Sequence, residues 1–436
     1  MHHHRSMAPP LRTILAPLAA PNYRRLLLST MLWQQSLAIW MLTAGWLLLE
    51  LTDSALTVAM LSFWRRAAQL AIGFFAGPIG DRLGRRATML IVQALHLALF
   101  GAILLLFLRD WLAPWHLLAL MFAIGLTWTV DMPARAALTP DLVGKAQTTD
   151  AMLLENFLQG LLGGVGPLVG GWLLAGFGPA AGFGVLTGLA ALHLLLLTDL
   201  ARQAFPQQAV ITKGTLWQAV GQGVRYLAQQ RLLLGVTLIS AVLNILIFPA
   251  LSLMPVFARD VLASGPIGLG LLSTGYSLGT FVGLYGIHHL RHRVSPNRLF
   301  ILGALLECCT LVIFATLPFY ALAWVMLFCA GVGQAGFHTM RSVILLTNAS
   351  DEMRGRVMST VVLTQGAGLP GELQTGLLAE RMGAPFTVGL QAGVAGLLTG
   401  VIVAVMPVLR QRRLPAERKT EGGDDHHVRI QTRDEF

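Results

Sequence analysis

The chain has 436 residues, 55% of them hydrophobic and only 12% charged, with a mean hydropathy of +0.66. A soluble domain carries about 25% charged residues, so this composition excludes a protein whose surface is mostly wet. The net charge of +10 does not mark a nucleic-acid binder, because the basic residues sit in short loops between apolar runs, and no nucleic-acid partner is expected.

In chain order, residues 1–22 are polar and proline-rich, so no cleavable leader is expected before the first apolar run. Runs long enough to cross about 30 Å of hydrocarbon follow at about 26–50, 55–77, 87–108, 112–134, 147–174 and 181–199. After a break of about 30 residues come runs at about 232–256, 266–288, 298–317, 319–342, 357–380 and 385–408. Turn chemistry separates them, as in Asp53-Ser54, Gly178-Pro179, Gly265-Pro266, Ser295-Pro296 and Gly383-Ala384-Pro385. The break contains residues 216–227, whose apolar positions recur at helical spacing, and predicts an amphipathic helix at the membrane surface. Cys308, Cys309 and Cys329 lie inside apolar runs, offer no ligand spacing and are read as small buried apolar residues.

Arginine placement sets the orientation. With the N-terminus inside, the inner loops hold Arg24, Arg82, Arg85, Arg86, Arg135, Arg202, Arg291, Arg354 and Arg356 among others, and the outer loops only Arg109, Arg259 and Arg381. The expectation is an all-α membrane protein of about twelve transmembrane helices with both termini cytoplasmic. Its parts are a cytoplasmic stub over 1–22, a six-helix bundle over 23–200, a cytoplasmic linker over 201–231, a second six-helix bundle over 232–409 and a cytoplasmic tail over 410–436. The halves echo each other at an offset of about 206 residues, with Arg135 matching Arg341, as in transporters built from repeats.

The most specific segment is Gly77-Pro78-Ile79-Gly80-Asp81-Arg82-Leu83-Gly84-Arg85-Arg86. It resembles the loop between spans 2 and 3 of the major facilitator superfamily. Its glycines permit a tight turn, and Asp81 suits the positive end of a neighbouring helix. The resemblance makes that neighbour span 11, latched to span 2 while the inner gate is shut. Gly160, Gly163, Gly164, Gly166-Pro167 and Gly170-Gly171 in span 5 resemble the glycine–proline segment of exporters in that superfamily, and small residues there allow close helix approach. Residues 131–143 around Arg135, residues 253–262 and the run Arg354-Gly355-Arg356-Val357 resemble the enterobactin-exporter and macrolide-efflux branch. The resemblance implies the major facilitator fold, export by alternating access, a proton gradient as driving force with no cofactor, a monomer, and a bacterial inner-membrane location.

Charges within the bilayer cost roughly 2.5–3.5 kcal/mol each on insertion scales and are functional candidates. Arg65 and Arg66 in span 2 stand level with Glu372 in span 11. Three readings apply: a pair that closes the outer gate, an arginine that binds an anionic solute, or a static ion pair. Glu155 in span 5 reads as a proton carrier or as a carboxylate bonded to a neighbouring arginine. Asp131 and Arg135, four apart, read as a structural pair, and Glu307 and His96 as structural. Gln34, Gln35, Thr127, Thr129, Asn244, Gln334 and His338, with Trp33, Trp40, Trp128 and Phe248, lie on spans 1, 4, 7 and 10, which line the cavity in the family. An enzyme would need a clustered nucleophile, acidic pair or metal motif, and none is present, nor is a phosphate-binding loop for ATP. A receptor would carry a long soluble domain, and no stretch here supplies one. The substrate expected is a small amphiphilic or anionic, siderophore-like molecule. Broad-range drug efflux is the alternative, then import or lipid translocation.

Overall fold

Within lipid a backbone must satisfy its own polar groups, which restricts a spanning chain to helices or closed barrels. In the computed structural model every regular element among the described residues (15–73, 84–201, 225–290, 293–350, 353, 366 and 368–410) is helical. The main elements are α1 (Pro21–Thr52), α2 (Ala55–Gly73), α3 (Arg85–Leu108), α4 (Pro114–Val143), α5 (Thr148–Leu162) and α6 (Val165–Ala201). They continue as α7 (Arg231–Leu251), α8 (Gly265–Leu290), α9 (Pro296–Thr316), α10 (Tyr320–Asn348), α11 (Gly368–Met382) and α12 (Ala384–Val405). Residues 216–224 of the expected surface helix lie outside the described residues, and 225–229 are helical.

Eight stretches of described helix are long and apolar enough to cross a membrane. One, Thr148–Thr198, runs for 51 residues, about 77 Å at 1.5 Å per residue, far beyond one hydrocarbon thickness. It breaks at Gly178, whose φ of 76° is open to glycine, just before Pro179. Three ends differ most from the sequence expectation. α4 and α10 continue to Val143 and Asn348, past the apolar runs, and at the start of the α4 extension the Asp131–Arg135 pair is buried inside the protein rather than exposed to lipid. α7 stops at Leu251, short of 256, since neither Pro249 nor Pro255 has an N–H to continue the ladder. The chain proceeds there as a turn, Met254–Val256, and one wide helical turn, Phe257–Val261.

α1, α3 and α6 pack together and α2 packs on α4. In the second half, α8, α9 and α10 pack together, as do α7, α11 and α12. The halves meet where α2 lies on α11, where α6 lies on α8, and where α1 touches Met254–Val256. The α6–α8 crossing is backbone on backbone: a Cβ on Gly171 would stand 2.5 Å from Pro266 O, and one on Gly270 2.6 Å from Pro167 O. Large apolar side chains such as Leu105, Leu195 and Leu397 remain more than 60% exposed, which suits a surface solvated by lipid. Cys308 is buried as expected, but Cys309 is exposed, because adjacent helical residues point to different faces.

Candidate functional site

The first cluster of chemistry lies where α2 meets α11. Arg66 Nε donates to Glu372 Oε1 at 3.0 Å, and Glu372 is only 1% exposed. Gly368 sits one helical turn before Glu372, where a Cβ would stand 2.9 Å from Arg66 Nη1 and 2.9 Å from Asn244 O of α7. The absent side chain leaves the guanidinium its place between α11 and α7. Of the two adjacent arginines, Arg66 therefore makes this pair. Arg65 keeps its backbone carbonyl against Gly125 of α4, and its Nε is buried without a hydrogen-bond partner.

Further along the same seam, the α1–α2 corner is tied to the second half. Asp53, with a φ of 49°, ends α1. Arg259 pairs with the Asp53 carboxylate, and its Nη1 donates to Leu49 O at 2.8 Å. Glu380 near the end of α11 accepts from the Ser54 hydroxyl at 3.0 Å and from the Leu56 N–H at 3.2 Å. A carboxylate on the first N–H groups of a helix is favourable for both hydrogen bonding and dipole. These contacts are exposed, so Glu380→Ala is expected to cost no more than about 1 kcal/mol, read as a change of a few degrees or less in thermal unfolding.

The second cluster lies at the other end of the first half. Arg135 Nε donates to Asp131 Oδ2 at 2.6 Å along one face of α4, and both residues are buried. Arg135 Nη1 donates to Ser29 Oγ at 3.1 Å and to Thr30 Oγ1 at 3.3 Å on α1. A cavity of about 190 Å³ opens beside them, lined by Tyr23, Thr30, Arg135, Glu155, Asn156 and Gln159 among others. Glu155 is half-buried on its wall and accepts from Gln159 Nε2 at 3.3 Å. No ion pair with Arg135 forms, since that guanidinium is engaged by Asp131. The cavity thus presents a carboxylate, an arginine, amides and hydroxyls to one space. A second cavity of about 190 Å³ lies between the halves near Met41, Leu61, Ser62, Pro167, Met254 and Ser273 and is largely apolar.

The remaining expected residues divide as follows. Gly84 has a φ of 77° at the start of α3, and Arg86 on its first turn is exposed. Gly77, Gly80, Asp81, Arg82, Arg354 and Arg356 lie outside the described residues, and only the backbone of Arg85 is described. Gly166 and Gly170 press on α1, where Cβ atoms would meet Ala38 at 2.8 Å and Ile39 at 3.3 Å, while Pro167 faces Gly270 of α8. Gln34 and Gln334 are half-buried, Asn244 donates to Ser240 O at 2.7 Å within α7, and His338 is exposed, 3.3 Å from Arg341. Glu307 accepts from the Tyr276 hydroxyl at 3.0 Å.

The aromatic wall expected of Trp33 and Trp40 is not there. Trp33 is stacked on His96, and Trp40 packs on Phe100 and Phe183, so both belong to the interior of the first half. Large apolar rings are buried where they gain most contact, and helix number alone does not say which face they occupy. The roles of Arg259, Asp53 and Glu380 were not legible, because each looks like an ordinary loop charge until the corners are brought together.

Residues 12–423 match the transmembrane secretion effector family. The multidrug efflux pump Tap of Mycolicibacterium fortuitum is 25% identical over 386 residues, covering 85% of this chain and 92% of that protein. The enterobactin exporter EntS of Escherichia coli is 25% identical over 362 residues, covering 80% of this chain and 82% of its own. Among solved structures, the nucleoside transporter NupG superposes with a TM-score of 0.70 at 13% identity, covering 90% of this chain and all of that one. A bacterial homologue of the lysosomal transporter Spinster, in an inward-facing and unoccupied conformation, gives 0.63 at 14% identity, covering 89% of this chain and 96% of that one. At such identities the structural likeness speaks to the fold, while the family match covers nearly the whole chain. Relatives and neighbours alike are membrane transporters and not enzymes. The two curated relatives are named for efflux and export, and the chain itself belongs to the transmembrane secretion effector family of the major facilitator superfamily and is a multi-pass membrane transporter.

Proposed function

We propose that this transporter expels a small amphiphilic or anionic solute from the bacterial cytoplasm in exchange for protons, by alternating access. In this reading twelve crossings form two six-helix bundles, over residues 23–200 and 232–409, in the inner membrane. The protein works as a monomer with both termini cytoplasmic. The Asp53 end then faces outward and the Arg135 cavity faces the cytoplasm, with the outer seam closed.

The observation that carries this reading is the Arg66–Glu372 pair. Two charges buried between the bundles cost several kcal/mol to insert, and they sit where the bundles must part for outward opening. Glu155, half-buried beside Arg135 in a polar cavity at the other end, suits a proton carrier in the loading state. The apolar chamber beside Met41 and Met254 suits the ring or chain of an amphiphile. One relative is named for enterobactin and another for multiple drugs, so siderophore-like anions come first and broad-range drugs second.

The test uses proteoliposomes holding a pH-sensitive dye under an imposed proton gradient. Anionic siderophores and cationic drugs are added in turn to wild type, Glu155→Gln and Arg66→Ala. Solute-dependent proton flux in wild type, reduced at least about tenfold in Glu155→Gln, is expected; a tenfold loss corresponds to about 1.4 kcal/mol. Flux for no solute, or equal flux in the Glu155 variant, overturns the assignment of the carrier.

A further inference from the structure

The cavity beside Arg135 holds an unequal set of charges, donors and acceptors. Of the described residues that line it, only Arg135 and Glu155 carry charge. The Arg135 charge is already balanced, because its Nε donates to Asp131 Oδ2 at 2.6 Å, and its Nη1 is engaged by the Ser29 and Thr30 hydroxyls. Glu155 has no cationic partner. It accepts from Gln159 Nε2, one turn further along α5, at 3.3 Å. Arg135, Asp131 and Glu155 together leave one uncompensated negative charge, and it belongs to Glu155.

The hydroxyls on the wall reinforce that bias. Tyr23 donates to Ala151 O at 2.8 Å and Thr30 to Leu26 O at 3.0 Å. A hydroxyl has one proton and two lone pairs, so with the proton spent each can only accept from a solute. One buried donor on the wall is left over: Arg135 is 3% exposed, and its Nη2 has no hydrogen-bond partner. An unmet buried donor is costly and calls for an acceptor. Leu26, Leu27, Met132 and Met152 complete the lining with hydrocarbon, and methionine adapts to irregular apolar shapes.

We propose that this cavity is an amine site, in which Glu155 receives the protonated nitrogen of a solute and Arg135 Nη2 donates to an oxygen a few bonds away from it. The solute is an organic ammonium bearing a neutral hydroxyl or carbonyl oxygen, with its apolar part on the leucines and methionines. An ammonium carries several N–H donors, which suits a wall rich in acceptors, and its single charge cancels that of Glu155. A carboxylate or catecholate would bring a second negative charge to the same wall and is disfavoured there. This narrows the amphiphilic solute of the export reading above. The role of the cavity as a loading site rests on that reading, but binding of the amine does not.

Four probes that share a phenyl ring separate the parts. Phenylethanolamine carries an ammonium and a hydroxyl, phenethylamine lacks the hydroxyl, N-acetyl phenylethanolamine lacks the charge, and mandelate has a carboxylate in place of the ammonium. Their dissociation constants are measured by saturation-transfer NMR on the full chain in nanodiscs. Phenylethanolamine is expected to bind most tightly, with phenethylamine about tenfold weaker for want of the hydrogen bond from Arg135. The N-acetyl compound and mandelate are expected to be weaker by at least about tenfold. Glu155→Gln is expected to abolish the preference for phenylethanolamine over its N-acetyl form. Arg135 is kept, because its removal would strand the buried Asp131 carboxylate, and its part is read from the probe hydroxyl instead. If Glu155→Gln folds poorly, the ranking of the four probes on wild type decides. Mandelate binding as tightly as phenylethanolamine, no binding of any probe, or an ammonium preference unchanged in Glu155→Gln overturns the site. Equal binding of phenylethanolamine and phenethylamine overturns the part given to Arg135. Phenylethanolamine binding without solute-driven proton flux supports the site and overturns only the coupling. Proton flux driven by anionic solutes, with mandelate preferred over the amines, overturns the site and leaves the export reading standing.

Discussion

Glu372→Ala is expected to lower stability by about 3–5 kcal/mol and to abolish transport. Removing one member of a buried pair leaves its partner's charge uncompensated, which is worse than replacing both. Screening is slight here, because the Arg66 side chain is 14% exposed and that of Glu372 1%. The combined Arg66→Leu and Glu372→Leu change is expected to recover most of the lost stability without recovering transport. Thermal unfolding in detergent and solute efflux from proteoliposomes measure the two effects separately. A double variant that transports like wild type would show the pair to be a static support and would remove the gate from the mechanism.

The second large effect is expected at the α6–α8 crossing. In Gly171→Ala the new methyl would meet Pro266 O at 2.5 Å and Gly270 Cα at 3.2 Å, and backbone cannot swing aside as a side chain can. Overpacking of this kind costs about 1–3 kcal/mol, here charged only to conformers in which the two halves touch. The expected result is a shift of about 5- to 150-fold towards the state open at the Asp53 end. It is read as faster labelling of a cysteine placed at Ser54, with little change in the amount of folded protein. Gly279→Ala is the contrast, since Gly279 packs on the Phe328 backbone within the second half. That change should reduce folded protein instead. Equal labelling of Gly171→Ala and wild type would mean that the crossing does not govern opening.

Much of the helix content was legible because hydrocarbon admits few alternatives: long apolar runs broken by Gly178-Pro179, Gly265-Pro266 and Gly383-Ala384-Pro385 had to become helices and corners. The pairing of Asp131 with Arg135 was legible too, since a spacing of four places both on one helix face. Arg66 against Glu372 was legible only as a choice between two arginines. Adjacent residues on α2 differ by about 100° in direction, and the packing of α2 on Gly125 of α4 and the gap at Gly368 decided between them. Trp33 and Trp40 were misplaced on the same account: helix number does not state rotation, and the rings turned inward to His96 and Phe100.

By itself, then, the sequence determined the solvent in which this chain folds, its helical character and the superfamily, because composition and the Asp81–Arg86 loop are local properties. Tertiary structure alone decided which charges meet. Arg259 with Asp53, Glu380 with the first turn of α2, and His96 with Trp33 and Thr127 are each brought together across many residues of chain. Their partners are set by the rotation and close approach of helices, and those depend on backbone contacts at Gly171, Gly270 and Gly368 that no linear spacing encodes.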